Sequence, residues 1–517
     1  MTSDLPSAAR GPSIYGFIRE HLDEAGRLSE SGMSLPDEPA VMSGELRWVA
    51  GAMDGVMGHH AGGGGAEVKA EKAAEAFVAA CRRPTKRRLR RLYGAVSDDS
   101  VLGYLDATIE LLAQRAPSRD PLHDLGVWLA TTAPDRGAVK VGIAVMGVTG
   151  LDEDVHVVRA LGAHEEFTLF AAVAVTNGLE DPESELWALA SAVDGWGRIQ
   201  CVERLRGTTD PAIRAWILRT GFRNSIMYEY LAHIAATTGG LLEELKSSDP
   251  DRELLTAAGE ILEALTAGGP AEDIDDYEEG ADAVAAYLDH LGTHAATLGD
   301  FHAVAAIQDF LARESGWDER VARGWTASRR SAFEVRCAEI LGRDVWRDRT
   351  AVALLSEDPG EFWRADQAAR RLGIDTFDLH LRRVRQDPFG NGWFAAWQQA
   401  DATRAEELAA AARESLPLAD IATGPADALG LGPEWRAHGA LDWTLQALRN
   451  HPGVGADLVL VGLQSPVTRN RNMSLNILKE WPRSHWPAGA RELAERLAHS
   501  DPNDQAREFA AEVLRSD

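Results

Sequence analysis

Residues 210–221 have the sequence DPAIRAWILRTG. The pattern in this stretch recurs along the chain and decides the fold that we expect. Its opening Asp-Pro pair suits a helix start, because Asp caps free N–H groups and Pro fits the first helical position. Ile213, Trp216 and Ile217 fall on one helical face, and Gly221 is placed to end the helix. The stretch predicts a short amphipathic helix whose apolar face, including Trp216, lies in a core.

The Asp-Pro pair recurs along the chain, each time before a helix-favouring stretch. A residue before proline prefers extended dihedral angles, as a helix N-cap does. Each pair therefore predicts a helix start. The other pairs are Asp120-Pro121, Asp181-Pro182, Asp249-Pro250, Asp358-Pro359 and Asp501-Pro502.

Several further stretches have apolar residues at helical spacing. They are residues 136–147, 165–177, 470–481 and 505–514. Only residues 457–462, DLVLVG, could suggest a strand. The pattern predicts an all-α fold, namely an α-solenoid of HEAT or armadillo type with degenerate helical repeats and a Gly-rich N-terminal segment. A compact irregular helical protein is the alternative, because the repeat spacing is irregular.

Composition changes along the chain suggest four regions. Residues 1–65 form an N-terminal segment that ends in the flexible Gly62–Gly65 run, and residues 66–270 form a helical-repeat region. Residues 271–400 begin with an acidic stretch and are rich in tryptophan, which predicts a helical subdomain. Residues 401–517 form a second helical-repeat region.

Charge and cysteine content restrict the class of protein. The chain has 80 acidic and 53 basic side chains, so its net charge of −27 disfavours nucleic acid and acidic membranes as partners. Its three cysteines lack C-x-x-C spacing, which predicts reduced, buried thiols. The apolar runs fall short of the ~18 residues of a membrane span, and no secretory signal is evident. A cytoplasmic protein without membrane insertion is expected.

The Gly-rich segment around residues 48–60 is the first candidate site. Trp48, Asp54, His59 and His60 stand there among glycines, and Asp with two His could bind a metal or move protons. Adjacent residues on a regular helix or strand point to different sides, and typical ligand spacings are missing. The favoured interpretation is therefore a structural turn with one buried His and no metal.

The second candidate is His164-Glu165-Glu166 at the start of an apolar helix. Two carboxylates beside an imidazole suit acid/base chemistry, or could be ligands in a helical core. Glu in a first turn also favours the helix dipole, and that structural interpretation is preferred. A joint site with His59 or His60 would require the N-terminal segment to fold back across the early repeats. His60→Ala and Glu166→Ala would then be non-additive in a double-mutant cycle.

Two basic clusters complete the candidates. Arg469, Asn470, Arg471 and Asn472 could hold a carboxylate or phosphate, or could tie neighbouring repeats together through carboxylates, which is the preferred interpretation. The run from Arg82 to Arg91 is the one candidate for contacting nucleic acid, although an internal partner for acidic surface or a solvated helix face is favoured.

Four blocks of sequence resemble a known family. They are residues 51–60 (GAMDGVMGHH), 161–169 (LGAHEEFTL), 195–197 (GWG) and 465–473 (SPVTRNRNM). They resemble bacterial HEAT-like helical-repeat proteins commonly labelled limonene hydroxylase, and the likeness spans most of the chain. The label implies oxygen insertion into a monoterpene, which needs haem, flavin or non-haem iron.

No sequence fingerprint of a cofactor accompanies that resemblance. The chain has no Gly-rich dinucleotide motif, P-loop, H-E-x-x-H or G-x-S-x-G, so the cofactor is unknown. We therefore expect a binding or scaffold protein with a protein or peptide partner. The alternatives are a limonene hydroxylase-like oxidoreductase and a HEAT-type nucleic-acid binder.

Overall fold

The computed structural model describes residues 11–38, 66–98, 101–295 and 297–515. Within these ranges the chain forms 29 α-helices and no β-strand, with two isolated β-bridges. The all-α prediction is confirmed for this part of the chain. The residues divide into two compact units, one N-terminal up to Ala368 and one C-terminal from Ala369. Each is described by itself below.

The N-terminal unit contains α1 to α19 and the first part of α20. These are α1 Ile14–Glu20, α2 Ala66–Arg82, α3 Lys86–Val96, α4 Leu105–Arg115, α5 Arg119–Thr132, α6 Arg136–Thr149, α7 Val155–Gly162, α8 Glu165–Gly178, α9 Glu183–Ala192, α10 Trp196–Arg204, α11 Pro211–Trp216, α12 Ala232–Thr237, α13 Leu241–Leu245, α14 Arg252–Ala267, α15 Gly280–His294, α16 Leu298–Leu311, α17 Trp317–Ala322, α18 Ala327–Leu341, α19 Val345–Ala353 and α20 Pro359–Leu372.

The C-terminal unit contains the remaining helices. These are α21 Phe377–Gln386, α22 Gly392–Gln398, α23 Ala402–Ser415, α24 Leu418–Ile421, α25 Arg436–Leu448, α26 Ala456–Leu463, α27 Thr468–Glu480, α28 Ala490–Ser500 and α29 Asp504–Arg515. The DLVLVG stretch that could suggest a strand lies in α26. Short 3-10 helices lie at Glu30–Met33, Val101–Gly103, Tyr228–Tyr230, Pro433–Trp435 and Arg483–His485.

Many helices in each unit pack on the next helix in sequence or on the one after it. In the N-terminal unit α6 packs on α5 and on α8, and α8 packs on α10. In the C-terminal unit α27 packs on α25, α26 and α29. A Cβ added at Gly142 in α6 would lie 2.6 Å from the backbone nitrogen of Ala130 in α5. Glycine at this position therefore allows the two helices to approach closely.

The Asp-Pro pairs all lie at or next to helix starts, although Asp is not always the cap. The Asp210 carboxylate accepts hydrogen bonds from the backbone N–H groups of Ala212 and Ile213, as predicted. In the pair at 249–250 the capping role passes to Asp251, which accepts from the Leu254 N–H. The pair locates a helix start to within a few residues, because neighbouring Asp and Asn residues compete for the cap.

The stretch at 210–221 differs from a simple helix in two ways. Its second half, Ile217–Gly221, is a π-helical turn. Ile213 and Ile217 are buried, but Trp216 is only half-buried and packs against Trp187, with ring centroids 6.2 Å apart. The expectation that Trp216 is a core residue is therefore wrong, because its side chain is only partly buried.

Truncating Trp216 should still destabilise the N-terminal unit, since the ring packs on Trp187. For Trp216→Ala we expect a smaller loss than the range of about 3–5 kcal/mol for buried tryptophans, because the ring is only half-buried. Trp363→Ala is the control, because that side chain is 59% exposed. Equal unfolding midpoints for the two variants would show that the Trp187 contact contributes little.

The tryptophans of residues 271–400 are mostly core residues and belong to both units. Trp325 and Trp346 are buried in the N-terminal unit, and Trp393 and Trp397 are buried in the C-terminal unit. The indole N–H of Trp346 donates to the Ile340 carbonyl at 2.7 Å. Burying a large ring while satisfying its one donor explains the tryptophan content of this region. No described helix is long and apolar enough to cross a membrane.

Candidate functional site

His164 lies at the junction of α7 and α8 and is the N-cap of α8. Its Nδ1 accepts a hydrogen bond from the Glu166 backbone N–H at 3.1 Å. Its Nε2 lies 3.3 Å from the carbonyl oxygen of Met33, to which it donates in the corresponding tautomer. The side chain is buried, and burial lowers its pKa. A neutral imidazole therefore joins the N-terminal segment to α8.

The Glu166 carboxylate is held by two cations on α6. The Lys140 ammonium lies 2.6 Å from its Oε1, and the Arg136 guanidinium lies 3.5 Å from its Oε2. Lys140 and Arg136 are one helical turn apart and both are buried. These contacts compensate the charge of a carboxylate taken out of water.

Arg136 also holds the end of the described residues 11–38. Its guanidinium donates to both oxygens of Asp37, at 3.1 and 2.9 Å, and to Glu38 at 2.9 Å. Its backbone N–H donates to Asp37 as well, at 2.9 Å. We call Asp37, Glu38, Arg136, Lys140 and Glu166 the buried ion cluster. It joins three parts of the fold: the N-terminal segment, α6 and α8.

The described N-terminal segment also contacts the early helices elsewhere. The backbone N–H of Ile14 donates to the Ala133 carbonyl at 3.0 Å, and both Ile14 and Ile18 in α1 are fully buried. Helix α1 packs on α5 and α7. Residues 11–38 thus fold back across the helices that follow.

Glu165 points to a different place from its neighbour Glu166. Its carboxylate accepts from the backbone N–H groups of Asp194 (2.9 Å), Gly195 (2.6 Å) and Gly197 (2.6 Å). These amides belong to the start of α10, where a negative charge is stabilised by the helix dipole. A Cβ at Gly197 would lie 2.6 Å from the Thr168 side chain, so the GWG block allows α10 to approach α8. The HEE and GWG blocks therefore form one structural contact.

Trp48, Asp54, His59 and His60 lie outside the described residues. A joint site that combines them with His164, Glu165 or Glu166 stays a prediction. Glu38, the last described residue before this segment, contributes to the buried ion cluster.

Sequence reasoning missed Asp37, Glu38, Arg136 and Lys140 as members of the cluster. A signal was present in α6, because Arg136 and Lys140 are its only charged residues and the rest of the helix is apolar. Charged side chains on an otherwise apolar helix predict buried partners. Asp37 carried no such signal, since its partner Arg136 is 99 positions away.

In the C-terminal unit, Arg471 is the centre of the candidate cluster formed by Arg469, Asn470, Arg471 and Asn472. Its guanidinium donates to both Asp501 oxygens at 2.7 Å, and to the carbonyls of Ser465 and Pro466 at 2.9 Å. The side chains of Arg471 and Asp501 are fully buried. This pair ties α27 to the connection between α28 and α29.

The neighbours of Arg471 connect α27 to α25. Asn470 is buried and donates to the His438 carbonyl at 3.0 Å, and Arg469 pairs with Asp442 at 2.6 Å. Burial raises the pKa of Asp442 above its ordinary value, although the nearby Arg469 charge opposes the rise. The buried side-chain oxygen of Asn472 makes no hydrogen bond within the described residues. The four residues therefore face different partners and do not converge on one ligand.

An open groove in the N-terminal unit was not found by sequence reasoning. It has a volume of about 870 Å³ and lies between the start of α16, the end of α19 and the start of α20. Val352 and Leu355 line it and are 72% and 73% exposed. Asp348 and Arg349 also line it, and neither forms an ion pair within the described residues. We call this feature the α19 groove.

The described residues offer no grouped ligands for the non-haem iron that is one of the groups the resemblance implies. In the ranges described above, no three His, Cys, Asp or Glu side chains are grouped to hold a metal ion. Cys201 is buried, and burial raises the pKa of its thiol to about 12, so it stays protonated near neutral pH. A haem iron held by cysteine needs the thiolate.

Comparison with known proteins gave no match: no protein-family model, no curated protein and no solved structure matches the chain.

Proposed function

We propose that this chain is a helical-repeat protein of HEAT or armadillo type that binds a segment of a protein partner in the α19 groove. The packing of helices on their second neighbours supports the solenoid part of the proposal, because stacked helix pairs have this pattern. The observation that carries the binding part is the exposure of Val352 and Leu355.

Two aliphatic side chains so exposed in one groove lose the free energy that burial would provide, about 1.5–3 kcal/mol each. Exposed apolar groups rimmed by charges are typical of interaction surfaces. In the α19 groove, Asp348 and Arg349 form such a rim. A helical peptide with aliphatic residues on one face and a charged residue beside them would match it.

Selection from a library of short random peptides tests the proposal. We expect the full chain to enrich peptides with aliphatic residues at helical spacing. Val352→Asp combined with Leu355→Asp should abolish the enrichment, because it places two carboxylates in the groove. Val68→Asp with Val335→Asp is the matched control, since those valines are 55% and 58% exposed on other helices. Enrichment of the same peptides by both double variants would overturn the proposal.

A further inference from the structure

The basic run that extends from the end of α2 into α3 is a second exposed feature of the N-terminal unit. Residues 82–91, RRPTKRRLRR, contain seven cations and no acidic residue, in a chain with 80 acidic and 53 basic side chains. We call its exposed members, Arg82, Arg83, Lys86, Arg87, Arg90 and Arg91, the basic face.

The fold holds the basic face on an ordered support. Leu89, Leu92 and Val96 on the other side of α3 are buried, and the Thr85 side chain caps the helix. Lys86 and Arg90 are one helical turn apart, as are Arg87 and Arg91. Lys86, Arg87, Arg90 and Arg91 are therefore displayed at fixed spacing on the solvent side of α3.

Most of the basic face has no acidic partner in the described part of the chain. Arg91 pairs with Glu75 at 3.1 Å, and Arg88, which is half-buried, donates to the Arg83 carbonyl at 3.3 Å. The other five members of the face form no ion pair with a described residue.

This arrangement is unfavourable for the isolated fold. Like charges one turn apart repel each other, and Lys86 and Arg87 lie in the first turn of α3, where the helix dipole disfavours cations. An anionic partner would remove both penalties at once. The surface is therefore complementary to a compact cluster of negative charge.

We propose that the basic face is a docking surface for an acidic segment of a protein partner. The face spans only ten positions and belongs to a chain of net charge −27. A long nucleic acid would extend beyond it and meet the repulsion of the remaining acidic surface. A short run of Asp or Glu residues fits the face alone, and arginines bind carboxylates in a bidentate manner. The α19 groove lies on other helices, so this docking surface does not depend on it.

Fluorescence anisotropy with a labelled decaglutamate peptide and the full chain tests the proposal. The peptide should bind at low salt and dissociate as salt screens the charges. Arg87→Glu with Arg90→Glu should weaken binding by at least about tenfold, because it removes two cations and adds two like charges. Both side chains are exposed, so the fold should persist, and circular dichroism checks this.

Arg382→Glu with Arg496→Glu is the matched control, because it makes the same charge change at exposed positions in the C-terminal unit. Its affinity should stay close to that of the unchanged chain. Equal loss in both variants, or no binding at low salt, would overturn the proposal. The proposal would also be overturned if a single-stranded DNA oligonucleotide bound more tightly than the peptide and if Arg87→Glu with Arg90→Glu abolished that DNA binding. If the unchanged chain self-associates and the same two substitutions abolish the self-association, the occupant is a second copy of the chain. That result would also overturn the proposal.

Discussion

Arg471→Ala should lower the free energy of unfolding of the C-terminal unit by about 3–5 kcal/mol, the usual cost of removing one partner from a buried ion pair. The change leaves the Asp501 carboxylate buried without its two hydrogen bonds from the guanidinium. It also removes the donor for the Ser465 and Pro466 carbonyls. Amide hydrogen exchange in α27 and α28 measures the loss within this unit.

Arg413→Ala is the matched control. Arg413 pairs with Asp457 in the same bidentate manner, at 2.8 and 2.7 Å, but both side chains are well exposed. Its loss should cost about 0–1 kcal/mol, as for other exposed pairs. If the two variants exchange at the same rate, burial of the Arg471–Asp501 pair does not carry the stability assigned to it.

Arg136→Met should have a comparable effect on the N-terminal unit, again about 3–5 kcal/mol. Methionine fills much of the arginine volume, so the main change is the loss of charge and donors. Asp37 stays buried but loses both hydrogen bonds from the guanidinium, and residue 136 then donates to it only through its backbone N–H. We therefore expect residues 11–38 to detach from the helices before the unit unfolds.

Limited proteolysis measures this detachment, because cleavage within residues 11–38 should become faster in the variant. Arg159→Ala is the control, since Arg159 also pairs with a carboxylate, that of Glu185, but is 52% exposed. Its cleavage rate should match that of the unchanged chain. Unchanged cleavage of the Arg136→Met variant would show that the buried ion cluster does not hold the segment.

The local parts of the fold could be predicted from the sequence because their signals are local. The predicted helices at 136–147 and 165–177 correspond to α6 and α8 with small changes at their ends. The π-helical turn at Ile217–Gly221 was not predicted, since it depends on how the helix end packs. Gly221, placed to end the helix, is the last residue of that turn.

The sites could be predicted only in part. His164, Glu165 and Glu166 were recognised as a group, but the sequence does not show that Glu165 and Glu166 bind different partners. The partners of each glutamate lie about 30 positions away along the chain, as Gly195 does from Glu165. The α19 groove has no sequence signal at all. Val352 and Leu355 have the spacing of buried residues, and only the arrangement of α16, α19 and α20 leaves them exposed.

The most direct test of the proposed function is the heat-capacity change when a selected peptide binds the full chain, measured by calorimetry at several temperatures. Burial of Val352 and Leu355 predicts a negative change, because apolar surface leaves water. The Val352→Asp and Leu355→Asp variant should bind about a hundredfold or more weakly, as loss of about 1.5–3 kcal/mol per side chain requires. A heat-capacity change near zero, or equal affinity of that variant and the unchanged chain, would contradict binding in the α19 groove.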